Sequence, residues 1–228
     1  MKNEVNIINE LRKEIIIKQR KHDHSMSGKT GYCFIKGDKI IKIYEHPKLY
    51  SSDYDMTKFK SKRISFPMDY MYERGAIIGE VLPYYNIDSI NKSFNSLDNI
   101  DYMIDAYQDI EQEIRRYPFI AMYDICKENI LYSNSKGLFL IDTTDWVKEE
   151  ESYIEYNLML LERSILIALK DIIIKNNYKK INGETLLKYF YEYIGDGNNI
   201  LDLLREYHDT KKINCNYEKK YLKIMKKR

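Results

Sequence analysis

The chain has three cysteines in 228 residues, Cys33, Cys126 and Cys215. Isolated and odd in number, they offer neither a disulfide framework nor the paired spacing of a metal site, and they fit a reducing cytoplasm. No apolar run approaches the ~20 residues that a membrane-spanning helix needs. Residues 1–20 alternate charge with isoleucine and lack a small-residue cleavage site, so no signal peptide is expected and the expected location is cytoplasmic. An excess of one charge is missing too: 37 Lys and Arg stand against 35 Asp and Glu, a net charge of +2. That balance carries no strong nucleic-acid signal; only Lys219, Lys220, Lys223, Lys226, Lys227 and Arg228 make a basic tail, read first as a solvated helix end. There is no internal repeat and no low-complexity segment. What is present suits a folded domain. The chain is 44% hydrophobic and 32% charged, and it is long enough to bury a core in one large or two-lobed domain. Its abundant lysine, isoleucine, asparagine and tyrosine read as base-composition bias.

Hydrophobic spacing divides the chain. Val5, Ile8, Leu11 and Ile15 lie at helical spacing, which predicts an amphipathic helix over 3–20. The segments 32–35, 39–44, 68–72 and 76–82 are short, apolar and rich in β-branched or aromatic residues, with hairpin turns at Gly37-Asp38 and Arg74-Gly75. The polar stretch 46–65 between them has room for one short helix. From about residue 86 the pattern turns helical: Ile100, Met103, Ile104, Tyr107, Ile110 and Ile114 form one stripe that Pro118 ends. Residues 119–142 return to short strands around a turn at Ser133–Gly137, and 153–176, 184–194 and 198–208 read as helices. Sheet first and helices afterwards predicts an α+β fold in two lobes: a helix and linker over 1–25, a small antiparallel-sheet lobe over 26–85, and a mostly helical lobe over 86–228.

The residues that carry chemistry lie in the second lobe. Tyr123-Asp124-Ile125-Cys126-Lys127-Glu128-Asn129 is followed by an apolar strand, a turn, and Leu138-Phe139-Leu140-Ile141-Asp142. Phosphoryl transfer from ATP needs a carboxylate to orient the acceptor hydroxyl, and an amide oxygen and a second carboxylate to hold Mg²⁺ against the phosphates. The D-x-x-x-x-N spacing puts Asp124 and Asn129 on one loop, and the hairpin returns Asp142 beside them. Residues 119–146 resemble the catalytic loop and metal-binding segment of protein-kinase-like enzymes, from Ser/Thr-type kinases to aminoglycoside-type small-molecule phosphotransferases.

The resemblance spans residues 27–165 and implies a two-lobed kinase-like fold that binds ATP and Mg²⁺. It makes Asp124 the catalytic aspartate, with Asn129 and Asp142 as metal ligands. It further implies that a hairpin bearing Gly28 and Gly31 covers the phosphates and that Lys42, flanked by isoleucines, reaches them, while Lys39 at the turn is solvated. Gly79-Glu80-Val81-Leu82-Pro83-Tyr84-Tyr85 resembles the last strand and hinge, where the Pro83 carbonyl and the Tyr85 N–H would meet adenine and Leu82 would wall its pocket. Gly28-Lys29-Thr30 does not make a P-loop, because Asp23 stands where the first glycine belongs and strand-forming residues follow. His22 and His24 read as solvated residues of a polar linker.

The chain also departs from the family pattern. Met122 replaces the usual histidine, so apolar packing, in place of a side-chain hydrogen bond, is expected to hold the loop backbone there. Cys126 occupies a lysine position, and the Asp124 carboxylate is expected to raise its pKa and leave it unreactive. Thr143-Thr144 follow Asp142 in place of Phe-Gly, and no Ala-Pro-Glu segment follows. The acid that pairs with Lys42 is not marked by a motif; Asp55 is the first candidate, ahead of Asp53 and Glu45. These features predict an ATP- and Mg²⁺-dependent phosphotransferase for a protein or small-molecule hydroxyl. A nucleotide-binding pseudokinase scaffold and an α+β interaction protein without a nucleotide site are the alternatives.

Overall fold

The computed structural model describes residues 27–28, 31–49, 55–94, 100–175, 200–202 and 204–205. The expected helices over 3–20 and 184–194, Asp53, His22, His24, Cys215 and the basic tail lie outside these residues. The fold is α+β, with an antiparallel sheet followed by helices, and two compact units can be distinguished. The first holds the described residues through Lys60 and Phe66–Asn86; the second holds Ser61–Ser65 and the described residues from Ile87 onward.

The first unit is a five-stranded antiparallel sheet in the order β1-β2-β3-β5-β4: β1 is Ser27–Gly28, β2 Gly31–Lys36, β3 Lys39–Leu49, β4 Asp69–Glu73 and β5 Ala76–Pro83. Local turn chemistry sets the hairpins. Gly37 takes φ +65°, and Arg74 and Gly75 take φ +51° and +82°. Left-handed residues of this kind match a two-residue loop to the twist of its strands. Alternation then sorts the faces: Phe34, Ile41 and Ile43 cluster with Tyr32 and Met71 on one side, and Lys42 points to the other. Among the described residues the polar stretch after residue 46 holds one short helical piece. β3 continues to Leu49, and the only described helical piece before β4 is a 3₁₀ turn at Met56–Lys58.

The second unit begins its helices later than residue 86, with α1 at Ile90–Ser93 and α2 at Ile100–Arg115. The stripe on α2 is buried at Ile100, Met103, Tyr107, Ile110 and Ile114, joined by Ala106; Ile104 is only half-buried. Two short ribbons follow. β6 (Ile120–Ala121) pairs with β9 (Val147–Lys148), and β7 (Ile130–Ser133) pairs with β8 (Gly137–Leu140). α3 spans Ile154–Lys175, and its Leu158, Leu161, Ile165, Leu166 and Leu169 are buried. The segment Ser61–Ser65 joins this unit through an isolated bridge. Ile64 bridges Leu140 in parallel, Ser65 N–H donates to the Leu140 carbonyl at 2.9 Å, and Leu140 N–H donates to the Arg63 carbonyl at 2.8 Å. Arg63 fixes the segment by pairing with Asp109 on α2 and donating to the Lys136 carbonyl at 2.7 Å.

Candidate functional site

Hairpin register brings the polar residues of the second unit together. Ile130 pairs with Leu140, so the next residues outward are Asn129 and Ile141, and Ile141 N–H donates to the Asn129 carbonyl at 3.0 Å. Asp142 follows one residue beyond. On the other side, the Asn129 side-chain amide donates to Asp124 twice, to its carbonyl and to Oδ2, each at 3.1 Å. Asn129 therefore joins the loop that carries Asp124 to the strand that delivers Asp142.

Both aspartates have left-handed backbones, φ +62° at Asp124 and +58° at Asp142. Among the described residues the only other non-glycine with positive φ is Arg74, in a hairpin turn. Aspartate tolerates this region better than most residues, yet it is still an uncommon conformation, and such outliers gather at functional sites. The Asp124 side chain is exposed and Asp142 is half-buried; Thr144 Oγ1 donates to Asp142 Oδ1 at 2.9 Å.

Groups distant in sequence hold the Asp124 loop, and sequence reasoning passes over them. The fully buried Asn157 of α3 accepts the Met122 N–H at 2.9 Å and donates to the Ile120 carbonyl at 2.7 Å. Met122 is indeed buried beneath the loop, but the expectation that apolar contact alone fixes its backbone is corrected: a side-chain amide binds it. Trp146 Nε1 donates to the Tyr123 carbonyl at 2.7 Å, and Ser164 Oγ donates to the Ile125 carbonyl at 2.9 Å. Lys127 reaches Asp171 of α3 at 3.4 Å. The Cys126 thiol is pushed up first by burial, with Asp124 a smaller contributor, so the expected direction holds and its main cause changes. The sequence clue to Asn157 and Ser164 is a polar residue on the apolar face of a helix, which marks a buried hydrogen bond without naming its partner.

Replacing Asn157 with alanine leaves two buried backbone groups without these partners. At roughly 1–3 kcal/mol for each orphaned group, the variant should lose about 2–6 kcal/mol in urea unfolding. A loss under about 1 kcal/mol would mean that the loop does not depend on this amide.

In the first unit, Lys42 is only 4% exposed, whereas Lys39 is exposed. Directly across the β3–β5 pair from Lys42 is Glu80, 1% exposed, and across β5–β4 from Glu80 is Tyr70. Opposed residues of an antiparallel sheet share a face, so Cys33, Lys42, Glu80 and Tyr70 form one row across four strands. Two opposite charges buried this deeply need compensation, because each alone would carry a large desolvation cost. Gly79 permits the close approach here, since a Cβ on it would collide with the Lys42 carbonyl oxygen. The Tyr70 phenol is held protonated, chiefly by burial, with the Glu80 and Asp55 carboxylates adding to the shift.

Asp55, the candidate acid for Lys42, caps the 3₁₀ turn. It accepts from Thr57 Oγ1 at 2.6 Å and pairs with Lys58 at 3.3 Å. The Thr57 hydroxyl bond is the main reason its carboxyl lies below the usual value. The turn meets the Lys42 row through Tyr70, whose hydroxyl accepts the Met56 N–H at 3.2 Å. Glu45 is exposed. Glu80 is the acid that sequence reasoning misses; its signal is a lone charge inside Ile77-Ile78-Gly79-Glu80-Val81-Leu82, and only the register makes it opposite Lys42.

Of the other expected residues, Gly28 pairs with Gly31 at the end of the β1–β2 ribbon. Pro83 closes β5, and the Tyr84 N–H that follows donates to the Asp38 carbonyl at 2.9 Å. Leu82 is buried, and burial raises the pKa of the Tyr85 phenol.

No family model and no curated protein matches the chain.

Among the described residues no three His, Cys, Asp or Glu side chains gather as a metal cage. Asn129 and Asp142 offer one amide and one carboxylate. Such a pair suits Mg²⁺, which keeps several waters and shares its coordination with substrate phosphates. No described helix is long and apolar enough to cross a membrane.

Proposed function

We propose that the chain is a kinase-like phosphotransferase that uses ATP and Mg²⁺ and acts on a hydroxyl of a protein or small molecule. The observation that carries the reading is the grouping of Asp124, Asn129 and Asp142 described above, with both aspartates held in left-handed conformations.

In this reading Asp124, exposed and aimed by the Asn129 amide, orients the acceptor hydroxyl and takes its proton. Asn129 and Asp142 would hold Mg²⁺, which neutralises charge on the transferring phosphate. In the first unit Lys42 would supply a point charge to nucleotide phosphates, with Glu80, opposite it in the β3–β5 register, as the counter-charge for so buried an ammonium. The Pro83 carbonyl and Tyr85 N–H meet the adenine edge. The same residues would serve a nucleotide-binding pseudokinase, and turnover separates the two.

The test is thermal stability with ATP, GTP and Mg²⁺, because a ligand bound to the native state raises the melting temperature by mass action. ATP with Mg²⁺ should stabilise the wild type. Charge-assisted hydrogen bonds contribute roughly 1.5–3 kcal/mol, so Lys42→Ala should weaken ATP binding about tenfold or more, while Lys39→Ala should leave it unchanged. Equal effects of the two changes would remove Lys42 from the site.

A further inference from the structure

Two residues past β8, Asp142 has left the strand conformation and sits at φ +58°. A left-handed backbone is unfavourable for a residue with a Cβ, and it persists only where neighbouring groups hold it. Those groups lie on both sides of Asp142. Upstream, the Ile141 N–H is bonded to the Asn129 carbonyl at 3.0 Å, and Leu140 exchanges backbone bonds with Arg63 and Ser65. Downstream, the Thr143 hydroxyl donates to the Ser65 carbonyl at 3.0 Å, and the Trp146 N–H donates to the Thr143 carbonyl at 3.1 Å. Asp142 is the link between two anchored residues.

Ser65 is bonded to both ends of this turn. Its N–H meets the Leu140 carbonyl, and its own carbonyl meets the Thr143 side chain. Ser65 and Thr143 are each 1% exposed, so bulk water does not compete for the bond. The pairing of Ile64 with Leu140 is parallel. One step further, such a ladder would set the Asp142 N–H on the Ser65 carbonyl and the N–H of residue 67 on the Asp142 carbonyl. Residue 67 is proline and has no N–H to give. At the Ser65 carbonyl a side-chain hydroxyl, one residue later in the chain, stands where the backbone donor would be. The strand can then end and turn at Asp142. The family pattern has phenylalanine at position 143, which carries no side-chain donor, so this departure in sequence has a structural counterpart.

We propose that Thr143 is a positioning residue, whose hydroxyl on the Ser65 carbonyl holds Asp142 in the left-handed turn that presents its carboxylate. Thr143 sets the backbone, and Thr144, donating to Asp142 Oδ1 at 2.9 Å, sets the side chain. The metal role of that carboxylate rests on the phosphotransferase reading; the turn itself does not.

Two measurements test the assignment. The backbone at Asp142 is read without nucleotide, from its intraresidue N–H to Hα coupling by NMR of the isotope-labelled full chain, since this coupling follows φ. Mg²⁺-linked ATP binding is read by calorimetry. Thr143→Ser keeps the hydroxyl and should match the wild type in both. Thr143→Val keeps the size and removes the donor, so its coupling should move away from the left-handed value. Mg²⁺ should then tighten ATP by about threefold or less, against about tenfold or more in the wild type. ATP affinity without metal should stay the same in both variants. Thr143→Ala also lacks the hydroxyl but leaves room for a water to meet the Ser65 carbonyl, and it gives the same readings should the valine variant not fold. A wild-type value of either reading in the hydroxyl-free variants, or an equal loss in Thr143→Ser, would overturn the proposal. A wild type whose ATP binding ignores Mg²⁺, with the coupling still following the hydroxyl, would instead overturn the phosphotransferase reading and leave Thr143 as the group that holds the turn.

Discussion

Asp124→Asn should lower phosphoryl transfer by about 10²–10⁴-fold, the usual contribution of a positioned general base, while ATP affinity stays close to wild type. Asparagine is the informative replacement. Position 124 sits at φ +62°, where asparagine is tolerated and alanine adds a backbone cost of roughly 1–2 kcal/mol. Asparagine also keeps an oxygen for the Asn129 amide, which donates to Asp124 Oδ2 at 3.1 Å. The change removes the proton acceptor and leaves the loop, so melting temperature should barely move. Transfer of radiolabelled γ-phosphate to acceptor, to the protein itself or to water is the measurement. Wild-type turnover in Asp124→Asn would show that Asp124 is not the base. A wild type with no turnover on any acceptor would favour a nucleotide-binding scaffold.

Asp142→Asn should eliminate the Mg²⁺ dependence of ATP binding. In the wild type Mg²⁺ should tighten ATP by about tenfold or more, equivalent to ~1.4 kcal/mol, and in the variant ATP affinity should be the same with and without the metal. The substitution is isosteric, tolerates the φ of +58°, and keeps an oxygen to accept the Thr144 hydroxyl. What it removes is the negative charge that opposes the cation. Calorimetric titration with and without Mg²⁺ decides the matter, and continued tightening by Mg²⁺ in the variant would exclude Asp142 as a ligand. The two substitutions should separate cleanly: one affects turnover, the other metal-linked affinity.

The parts of this protein that its sequence determined are those set by neighbouring residues. Strand alternation and the turns at Gly37-Asp38, Arg74-Gly75 and Ser133–Gly137 specify three hairpins, because turn chemistry and side-chain period act within a few residues. The D-x-x-x-x-N spacing likewise puts Asp124 and Asn129 on one loop, and the hairpin after it must bring Asp142 back to them. Tertiary structure decided what lies across from each of these. Glu80 faces Lys42 only because β5 enters the sheet beside β3 in that register. Met122 is held by Asn157, Tyr123 by Trp146 and Ile125 by Ser164, pairings that no local period encodes. Segment 61–65 falls in the polar stretch between strands, yet Ile64 bridges Leu140, and the Leu140 N–H and carbonyl are satisfied by Arg63 and Ser65. A buried polar side chain announces in sequence that it needs a partner; which group answers depends on how distant elements pack.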